Sequence, residues 1–294
     1  MQCNFNRQYR LKVVPNTKYE TFEIGDAEFP IKIAFSIERS DGSDVLCTSN
    51  IELWNISPTH EKALMMSGTK VYLCAGYDDN IPQIFEGTVV CCYSERDGAN
   101  RKTTIQCIDK CTTLSDKRIS ISQGETTAYA LIEYVRQNTY STFSISDKAK
   151  LRLMGTKVLG YSFIGTAKDA LKDICDLGGV QYRISNGIAL IYLSGESISN
   201  KVHVIDAETG LIGFPKRIFE SSLGLNDNDE STGEYSLVGW EIEYLMNPSI
   251  GVGDKIHLTS KSAELDGTFY VYQLQISGDN YSSDWTCTAR IREV

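Results

Sequence analysis

Two separate stretches of this chain carry the same succession of strand and turn signals, and this duplication constrains the fold more than any other feature. Each stretch has an Ile-Glu strand, a proline break, a Gly-x-Lys strand, a Gly-Thr pair, and two further strands around a polar hairpin. The corresponding residues are Ile51-Glu52 and Ile242-Glu243, Lys70 and Lys255, and Gly87-Thr88 and Gly267-Thr268. A single distant copy, unlike a short repeating period, predicts two equivalent β domains and no solenoid. The alternative is that two generic strand patterns align by accident.

The two copies fall in segments that are rich in β-strand signals. A chain of 294 residues suggests about two domains. Short strand patterns fill the first segment, where turn signals such as Asp41-Gly42 and Asp97-Gly98 separate them. Strand patterns resume near Tyr235 and continue to the end of the chain. Strands of this spacing build barrels or sandwiches. We predict one β-barrel domain over residues 1–118 and a related one over residues 201–294.

The intervening segment, residues 119–200, changes to a helical period. One apolar helix face is formed by Ala128, Leu131, Ile132 and Val135. Thr166 and Asp169 resemble a capping box that opens a second helix, and Gly178-Gly179 ends it. Asn186-Gly187 then predicts a two-residue β-hairpin. We therefore expect an α+β insertion between the two barrels, in a fold that is mainly β and α+β overall.

The charge of the chain argues against a protein that grips nucleic acid. The net charge is −9, whereas nucleic-acid binding relies on Lys and Arg side chains that neutralise phosphates. A negative wall would suit a channel through which DNA slides without sticking. The simpler alternative is that the acidic surface serves solubility alone.

The nine cysteines do not form a recognisable disulfide framework. Their number is odd, their spacings are scattered, and residues 1–10 lack the apolar core of a secretory signal. Several, such as Cys107 and Cys287, lie within apolar strand patterns, where a free cysteine behaves as a small hydrophobe. We predict reduced thiols throughout. No apolar run approaches the roughly 20 residues of a membrane span, so we expect no membrane insertion.

No catalytic or cofactor-binding motif is recognisable. The chain has no phosphate-binding glycine loop, no His-Glu-x-x-His and no nucleophile elbow. The acidic run at residues 226–230 resembles a calcium loop but lacks its glycine and its distal glutamate. We predict no catalytic residue, no cofactor and no metal. Carboxylate pairs for glycoside cleavage stay open, because they need no local spacing.

The ordered set of motifs resembles the phage tail hub proteins, the baseplate hub and late-control-D-type family. The first half matches in the strand ending at residues 49–58, the Gly-x-x-Val strand from Gly68, the Ala75-Gly76-Tyr77 turn and the Phe85-x-Gly87 strand. The second half matches in the strand after Asp254, the Leu265-x-Gly267 strand and the Gly278-Asp279 hairpin before Trp285. Gly251-Val252-Gly253 replaces the Pro-Gly of the family pattern.

The resemblance implies two tail-tube-type barrels and a structural role in a phage or phage-like virion. Three copies would form a ring around a DNA channel in the tail baseplate, with DNA only as passing cargo. Two barrels in each copy would present six similar units to a six-fold tail tube, while a trimeric central spike binds the opposite side. The other implied partners are further baseplate proteins and the tape measure, and assembly would take place in the host cytoplasm.

The prolines that end the duplicated strands mark the places where barrels or chains would meet. The residues expected at such interfaces are Trp54, Asn55, Ile56, Pro58, Leu245, Asn247 and Pro248. The alternative is that these prolines simply end strands within a monomer. At the level of function, the alternatives are a tail-associated cell-wall hydrolase or peptidase and a tail-tip binding protein.

Overall fold

The computed structural model of the chain describes residues 6–16, 19–25, 31–41, 47–109, 112–115, 117–193, 196, 201–223, 233–261 and 264–293. The acidic run at 226–230 lies outside the described residues. Within these ranges the chain is mainly β, and an α+β unit separates two β halves. The predicted fold class is confirmed at this level.

The first half contains seven strands and one short helix. The strands are β1 (Arg7–Val14), β2 (Phe22–Ile24), β3 (Ile33–Ser40), β4 (Thr48–Trp54), β5 (Lys70–Tyr77), β6 (Gln83–Asp97) and β7 (Asn100–Ile108). Helix α1 (Pro58–Leu64) follows β4, with the Ser57 hydroxyl accepting a hydrogen bond from the His60 backbone N–H and Pro58 in the first turn. This is a favoured helix start, because the proline gives up an N–H that would otherwise be unpaired.

The middle unit combines short helices and strands. The strands are β8 (Arg118–Gln123), β9 (Thr126–Thr127), β10 (Phe143–Ile145), β11 (Lys157–Val158), β12 (Tyr161–Thr166), β13 (Gln181–Ser185) and β14 (Ile188–Tyr192). The helices are α2 (Thr112–Ser115), α3 (Ala128–Thr139), α4 (Asp147–Gly155) and α5 (Ala167–Gly178). Both predicted helices are confirmed as α3 and α5, with Thr127 and Thr166 as N-caps. The Asn186-Gly187 hairpin is confirmed between β13 and β14.

The second half contributes six more strands. They are β15 (Val202–Ile205), β16 (Leu211–Leu223), β17 (Gly233–Leu245), β18 (Lys255–Ser260), β19 (Leu265–Asp279) and β20 (Trp285–Glu293). Four of its antiparallel pairings repeat those of the first half: β16–β17 repeats β3–β4, β17–β20 repeats β4–β7, β19–β20 repeats β6–β7, and β18–β19 repeats β5–β6.

The repetition extends to individual residues. Ile51 pairs with Ile105 in β7, and Ile242 pairs with Ala289 at the same step of β20. Strands β6 and β19 also share a β-bulge at the same place, between Val89 and Cys91 in β6 and between Val271 and Gln273 in β19. The shared pairings and the shared bulge support common descent of the halves. The β16–β17 pair differs from β3–β4 in two register shifts, after Ile212 and after Ile218. Their superposition, and the boundaries at residues 118 and 200, stay predictions.

One detail of the predicted alignment is wrong. Gly87 pairs with Val71, whereas Gly267 pairs with Leu258, which lies two residues further along its strand than the counterpart of Val71. In the ladder the counterpart of Gly87 is therefore Phe269, which pairs with Ile256, and not Gly267. An offset of two leaves every side chain on the same face, because strand side chains alternate with a period of two.

The expected closed barrels are not found among the described strands. The pairings follow one open path, β16-β17-β20-β19-β3-β4-β7-β6-β5-β1-β2, with β18 and β15 added beside β19. The reason is that β3 pairs with β4 along one edge and, along its other edge, with residues 273–279 of β19 in the second half. This contact, named here the internal junction, uses the edge that closure of the first half would need.

Two hydrophobic cores support this arrangement. The larger one contains buried residues of both β halves, from Tyr9 to Cys107 and from Ile205 to Ile291. The smaller one lies in the middle unit, from Leu114 to Ile191. Because the β halves share one core, they are expected to unfold together rather than as independent barrels.

Candidate functional site

The continuous sheet has one face that turns away from the core, named here the polar face. Its residues stand in rows across the strands, and one row is Cys91, Gln106, Asn50, Ser36, Ser277, Thr286 and Leu245. The row crosses the internal junction without a break. The alternate residues, such as Ile51, Ile37 and Ile276, are buried. The sheet therefore presents one continuous and mostly polar surface that both halves build.

Carboxylates outnumber basic side chains on the polar face. Among the described side chains, register and alternation place ten carboxylates and eight basic groups on this face. The carboxylates are Glu23, Glu38, Glu52, Glu86, Glu95, Asp97, Glu241, Glu243, Asp266 and Asp279, and the basic side chains are Arg10, Lys12, Lys70, Lys102, Lys216, Lys255, Arg290 and Arg292. Lys102 lies 3.3 Å from Glu52 and 3.0 Å from Glu95, and Glu241 accepts from Arg290 at 3.2 Å. The hydrogen bonds to Glu95 and Glu52 raise the pKa of Lys102, so it stays charged. Carboxylates are therefore in a small excess on this surface.

Asp41 ties together all three parts of the chain. Its carboxylate follows β3 and accepts hydrogen bonds from Tyr270 in β19, at 2.8 Å, and from Tyr192 in β14 of the middle unit. Burial raises the pKa of both tyrosines, and the Asp41 charge adds to the effect, so both phenols remain protonated donors. In the sequence Asp41 was visible only as half of a turn signal, and no local pattern indicates these two distant partners.

Asp109 fixes the middle unit at a second point. Its side chain is buried and accepts hydrogen bonds from the backbone N–H groups of Asn186 and Gly187, in the hairpin between β13 and β14. Burial raises the pKa of this carboxyl, and the two N–H donors oppose that shift. Arg39 also reaches the hairpin, donating to the Asn186 side chain at 2.9 Å. The hairpin is thereby held against the ends of β3 and β7.

The first group of predicted interface residues lies partly inside the chain. Trp54 is buried, and its indole N–H donates to Asp97 at 2.8 Å. Ile56 is also buried, whereas Asn55 and Pro58 are exposed. A neighbouring molecule would therefore meet Asn55 and Pro58 first, and an interface at this group stays a prediction.

The second predicted group lines a groove between the two halves. Leu245, Asn247 and Pro248 form one wall of this groove of about 630 Å³, and Tyr77 and Pro82 of the first half form part of the other. Trp54 and Leu245 occupy equivalent ladder positions, opposite Lys102 and Thr286. The duplication therefore extends to the predicted interface residues, although only the second group opens onto a groove.

The described residues contain no group of three or more His, Cys, Asp or Glu side chains that could hold a metal ion. The seven described cysteines form no disulfide, while Cys3 and Cys111 lie outside the described residues. Burial raises the pKa of the Cys47 and Cys287 thiols to about 11, which makes them poor nucleophiles. No described helix is long and apolar enough to cross a membrane.

Neither a protein-family model nor a curated protein sequence matches the chain. The architecture, however, is similar to those of solved tail proteins. The 43 kDa tail protein of prophage MuSo2 from Shewanella oneidensis is similar with a TM-score of 0.64 and 11% identity, over 97% of this chain and 98% of that one. The tail protein from Neisseria meningitidis MC58 has the same TM-score and identity, over 97% of both chains.

A third similar structure comes from a secretion system. The E. coli c3393 protein, a type VI secretion component described as structurally similar to the T4 tail proteins gp27 and gp5, has a TM-score of 0.56 and 11% identity. The similarity covers 90% of this chain and 74% of that one. At such identities the likeness establishes the fold, and the chain accordingly has the fold of phage tail proteins.

Proposed function

We propose that the chain is a structural hub of a phage or phage-like tail baseplate, in which three copies form a ring between the six-fold tail tube and the trimeric central spike. One observation carries the proposal: each chain contains two β halves with the same four strand pairings and a β-bulge at the same place in β6 and β19. A three-fold ring fits a six-fold tube only if each subunit offers two equivalent surfaces. The fold likeness to tail proteins supports the same assignment.

The polar face is the surface we assign to the DNA channel. It is continuous across both halves, and its excess of carboxylates would repel the phosphate backbone of passing DNA. A basic lining would hold the DNA, with an affinity that depends on salt. In this arrangement DNA is cargo and never a ligand, so the purified chain should retain no duplex DNA on a gel at physiological salt.

The two ends of the ring would bind different partners. Tail tube protein would stack on one side and the central spike on the other, with further baseplate proteins and the tape measure as additional neighbours. Asn55, Pro58 and the groove wall at Leu245, Asn247 and Pro248 are the candidate contact residues on the two halves. The site of action is the virion tail, after assembly in the host cytoplasm.

Sedimentation of the purified chain, alone and mixed with its tube and spike partners, tests the proposal. We expect a species of three times the 32.8 kDa chain mass, and a ring with six similar lobes in electron micrographs. A chain that remains monomeric with both partners present would overturn the hub assignment. Interfaces of a permanent ring should each bury more than roughly 2,000 Å².

The absence of catalysis needs a separate assay. The chain is incubated with purified host cell wall in a zymogram, beside a lysozyme standard. A hub without enzymatic activity leaves the gel opaque, whereas a clear band that co-purifies with the chain would favour the hydrolase alternative.

A further inference from the structure

The internal junction shows how two of these β halves join edge to edge. Before its bulge, β19 pairs with β18 of its own half, and after the bulge residues 273–279 pair with β3 of the other half. The contact includes a hydrogen bond of 2.7 Å from the Asp41 backbone N–H to the Tyr272 carbonyl. Ile276 lies opposite Ile37 on the buried face, and Ser277 lies opposite Ser36 on the polar face.

The duplicated counterparts of these two edges have no partner among the described strands. Before its bulge β6 pairs with β5, but residues 91–97 pair with β7 alone and leave their other edge open. The counterpart of β3 is β16, which pairs with β17 alone and ends the sheet. Unpaired edges expose backbone N–H and C=O groups that readily pair with another strand. Within each chain the β3 and β19 edges are therefore paired with each other, whereas the equivalent edges of β16 and β6 are both open among the described strands.

We propose that the open edge of β6 in one copy of this chain pairs with the open edge of β16 in a second copy, reproducing the internal junction between molecules. Equivalent ladder positions fix the register. Lys216 and Arg217 of β16 correspond to Ser36 and Ile37 of β3. Glu95 and Ser94 of β6 correspond to Ser277 and Ile276 of β19. Because Ser36 lies opposite Ser277 and Ile37 opposite Ile276, Lys216 lies opposite Glu95 and Arg217 opposite Ser94. By the same rule Ile218 lies opposite Tyr93. The inference rests on the proposed ring and specifies the contact that forms it.

Charge complementarity in this register supports the second copy as the occupant. On the polar face the internal contacts run Arg290, Glu241, Lys216 on one side of the new contact and Glu95, Lys102, Glu52 on the other. Placing Lys216 beside Glu95 continues this alternation of sign across the two molecules. A register shifted by one residue in either direction would place Glu95 and Lys216 on different faces of the sheet. Opposite charges directly across a sheet stabilise a pairing, and like charges oppose it.

Exposed apolar side chains lie on both edges. Val90 and Tyr93 beside the β6 edge are 56% and 44% exposed, and Phe214 and Phe219 on β16 are 68% and 54% exposed. Pro215 limits the pairing at one end, because proline has no backbone N–H to donate. The ladder is therefore expected over Lys216 to Ile218 and their partners, because a second register shift follows between Ile218 and Phe219. Such an edge contact is head-to-tail, so it closes into a ring or continues as a filament.

Engineered disulfides between full-length chains test the register. In a Cys91→Ser background, which removes one exposed native thiol, Glu95→Cys is introduced into one chain and Lys216→Cys into another. Directly opposed residues of antiparallel strands have Cα atoms about 4.5–5.5 Å apart, within the range that a disulfide spans. Mild oxidation of the mixture should give a covalent dimer, and each variant alone should give none. The matched control pairs Glu95→Cys with Arg217→Cys, whose side chains point to opposite faces.

A chain that carries both Glu95→Cys and Lys216→Cys should cross-link into a closed species of three chains and no further. Sedimentation of the same samples separates the possible failures. Trimers without the cross-link, or equal cross-linking of the control pair, would overturn the proposed edge contact and leave the hub standing. Cross-linked polymers of unlimited length would keep the edge contact and overturn the ring of three. Monomers without a cross-link would overturn both.

Discussion

Replacement of Asp41 by alanine is the sharpest test of how the three parts of the chain are held together. The carboxylate accepts hydrogen bonds from the buried phenols of Tyr192 and Tyr270, one from the middle unit and one from the second half. The alanine keeps the backbone hydrogen bond from residue 41 to Tyr272 but leaves both phenols without an acceptor. The substitution therefore removes the side-chain tie alone.

The expected loss follows from the two hydrogen bonds. A hydrogen bond to a charged group contributes about 2 kcal/mol, so Asp41→Ala should lower the free energy of unfolding by about 4 kcal/mol. Arg292 adds little, because its nearest approach to the carboxylate is 4.0 Å and its side chain is 42% exposed. Asp41→Asn retains an acceptor oxygen and should cost about 1–2 kcal/mol. Replacing both tyrosines by phenylalanine in the Asp41→Ala chain should restore about 2 kcal/mol, because no buried hydroxyl is then unpaired.

Urea unfolding at a fixed protein concentration measures these differences, since association would otherwise change the apparent stability. Asp79→Ala, at an exposed turn residue, is the matched control and should lie within about 0.5 kcal/mol of the unmodified chain. Equal urea midpoints for Asp41→Ala and Asp79→Ala would show that the Asp41 carboxylate does not hold the three parts together. A triple variant less stable than Asp41→Ala would show that the unpaired phenols are not the source of the loss.

Three further predictions address thiols, backbone space and pH. In the folded chain a thiol reagent should modify Cys91 first, because Cys91 is exposed, whereas burial raises the pKa of Cys107 and Cys175 to about 12. Unfolding without reductant should expose nine reactive thiols, and a lower count would disprove the reduced state. Gly76→Ala should lower the free energy of unfolding by about 2 kcal/mol, because the new Cβ would lie 2.0 Å from the Asn80 carbonyl oxygen. Gly155→Ala, at the end of α4, has open space and should raise the free energy of unfolding by up to about 1 kcal/mol, so equal unfolding midpoints would contradict this pair of predictions. Burial raises the pKa of Asp109 and Asp254, so the folded state keeps their protons up to a higher pH than the unfolded state does. The free energy of unfolding should therefore fall as pH rises from about 3.9 through the raised pKa values. Asp109→Asn should flatten this slope, and an unchanged slope would assign it to other groups.

Local signals predicted the elements that depend on local chemistry. Thr166 and Asp169 predicted the start of α5, and the structure places the Thr166 hydroxyl as acceptor of the Asp169 backbone N–H at 3.2 Å. Gly179 ends the same helix in the left-handed conformation, at φ 63°, which glycine adopts without strain. The duplicated Ile-Glu pair predicted equivalent strands, and Ile51 and Ile242 do occupy equivalent ladder positions.

Features that depend on distant contacts were not predictable in this way. The pairing of β3 with β19 joins residues more than 200 positions apart, and Ser36 and Ser277 carry no pattern that selects each other over other polar strand residues. Helix α4 was missed because its apolar face is limited to Ala149 and Leu153, while Ser146 acts as an N-cap in a polar stretch. Closed barrels were expected because strand spacing indicates how many strands form, but it does not indicate which edge pairs with which.

The bulge in each long strand explains why the two halves join where they do. A bulge adds one residue to a single strand and increases the local twist, so it turns the rest of the strand away from its original neighbour. In β19 the residues before the bulge pair within the half and those after it pair with the other half. In β6 the bulge at Val90 makes the same division, but its second part is open. Uncovered strand edges promote aggregation. An edge that is open in the single chain is therefore expected to be covered by another strand in the assembly. The retained bulge in β6 is therefore the physical reason to expect a partner at residues 91–97, and β16 of a second chain is the strand whose register and charge fit it.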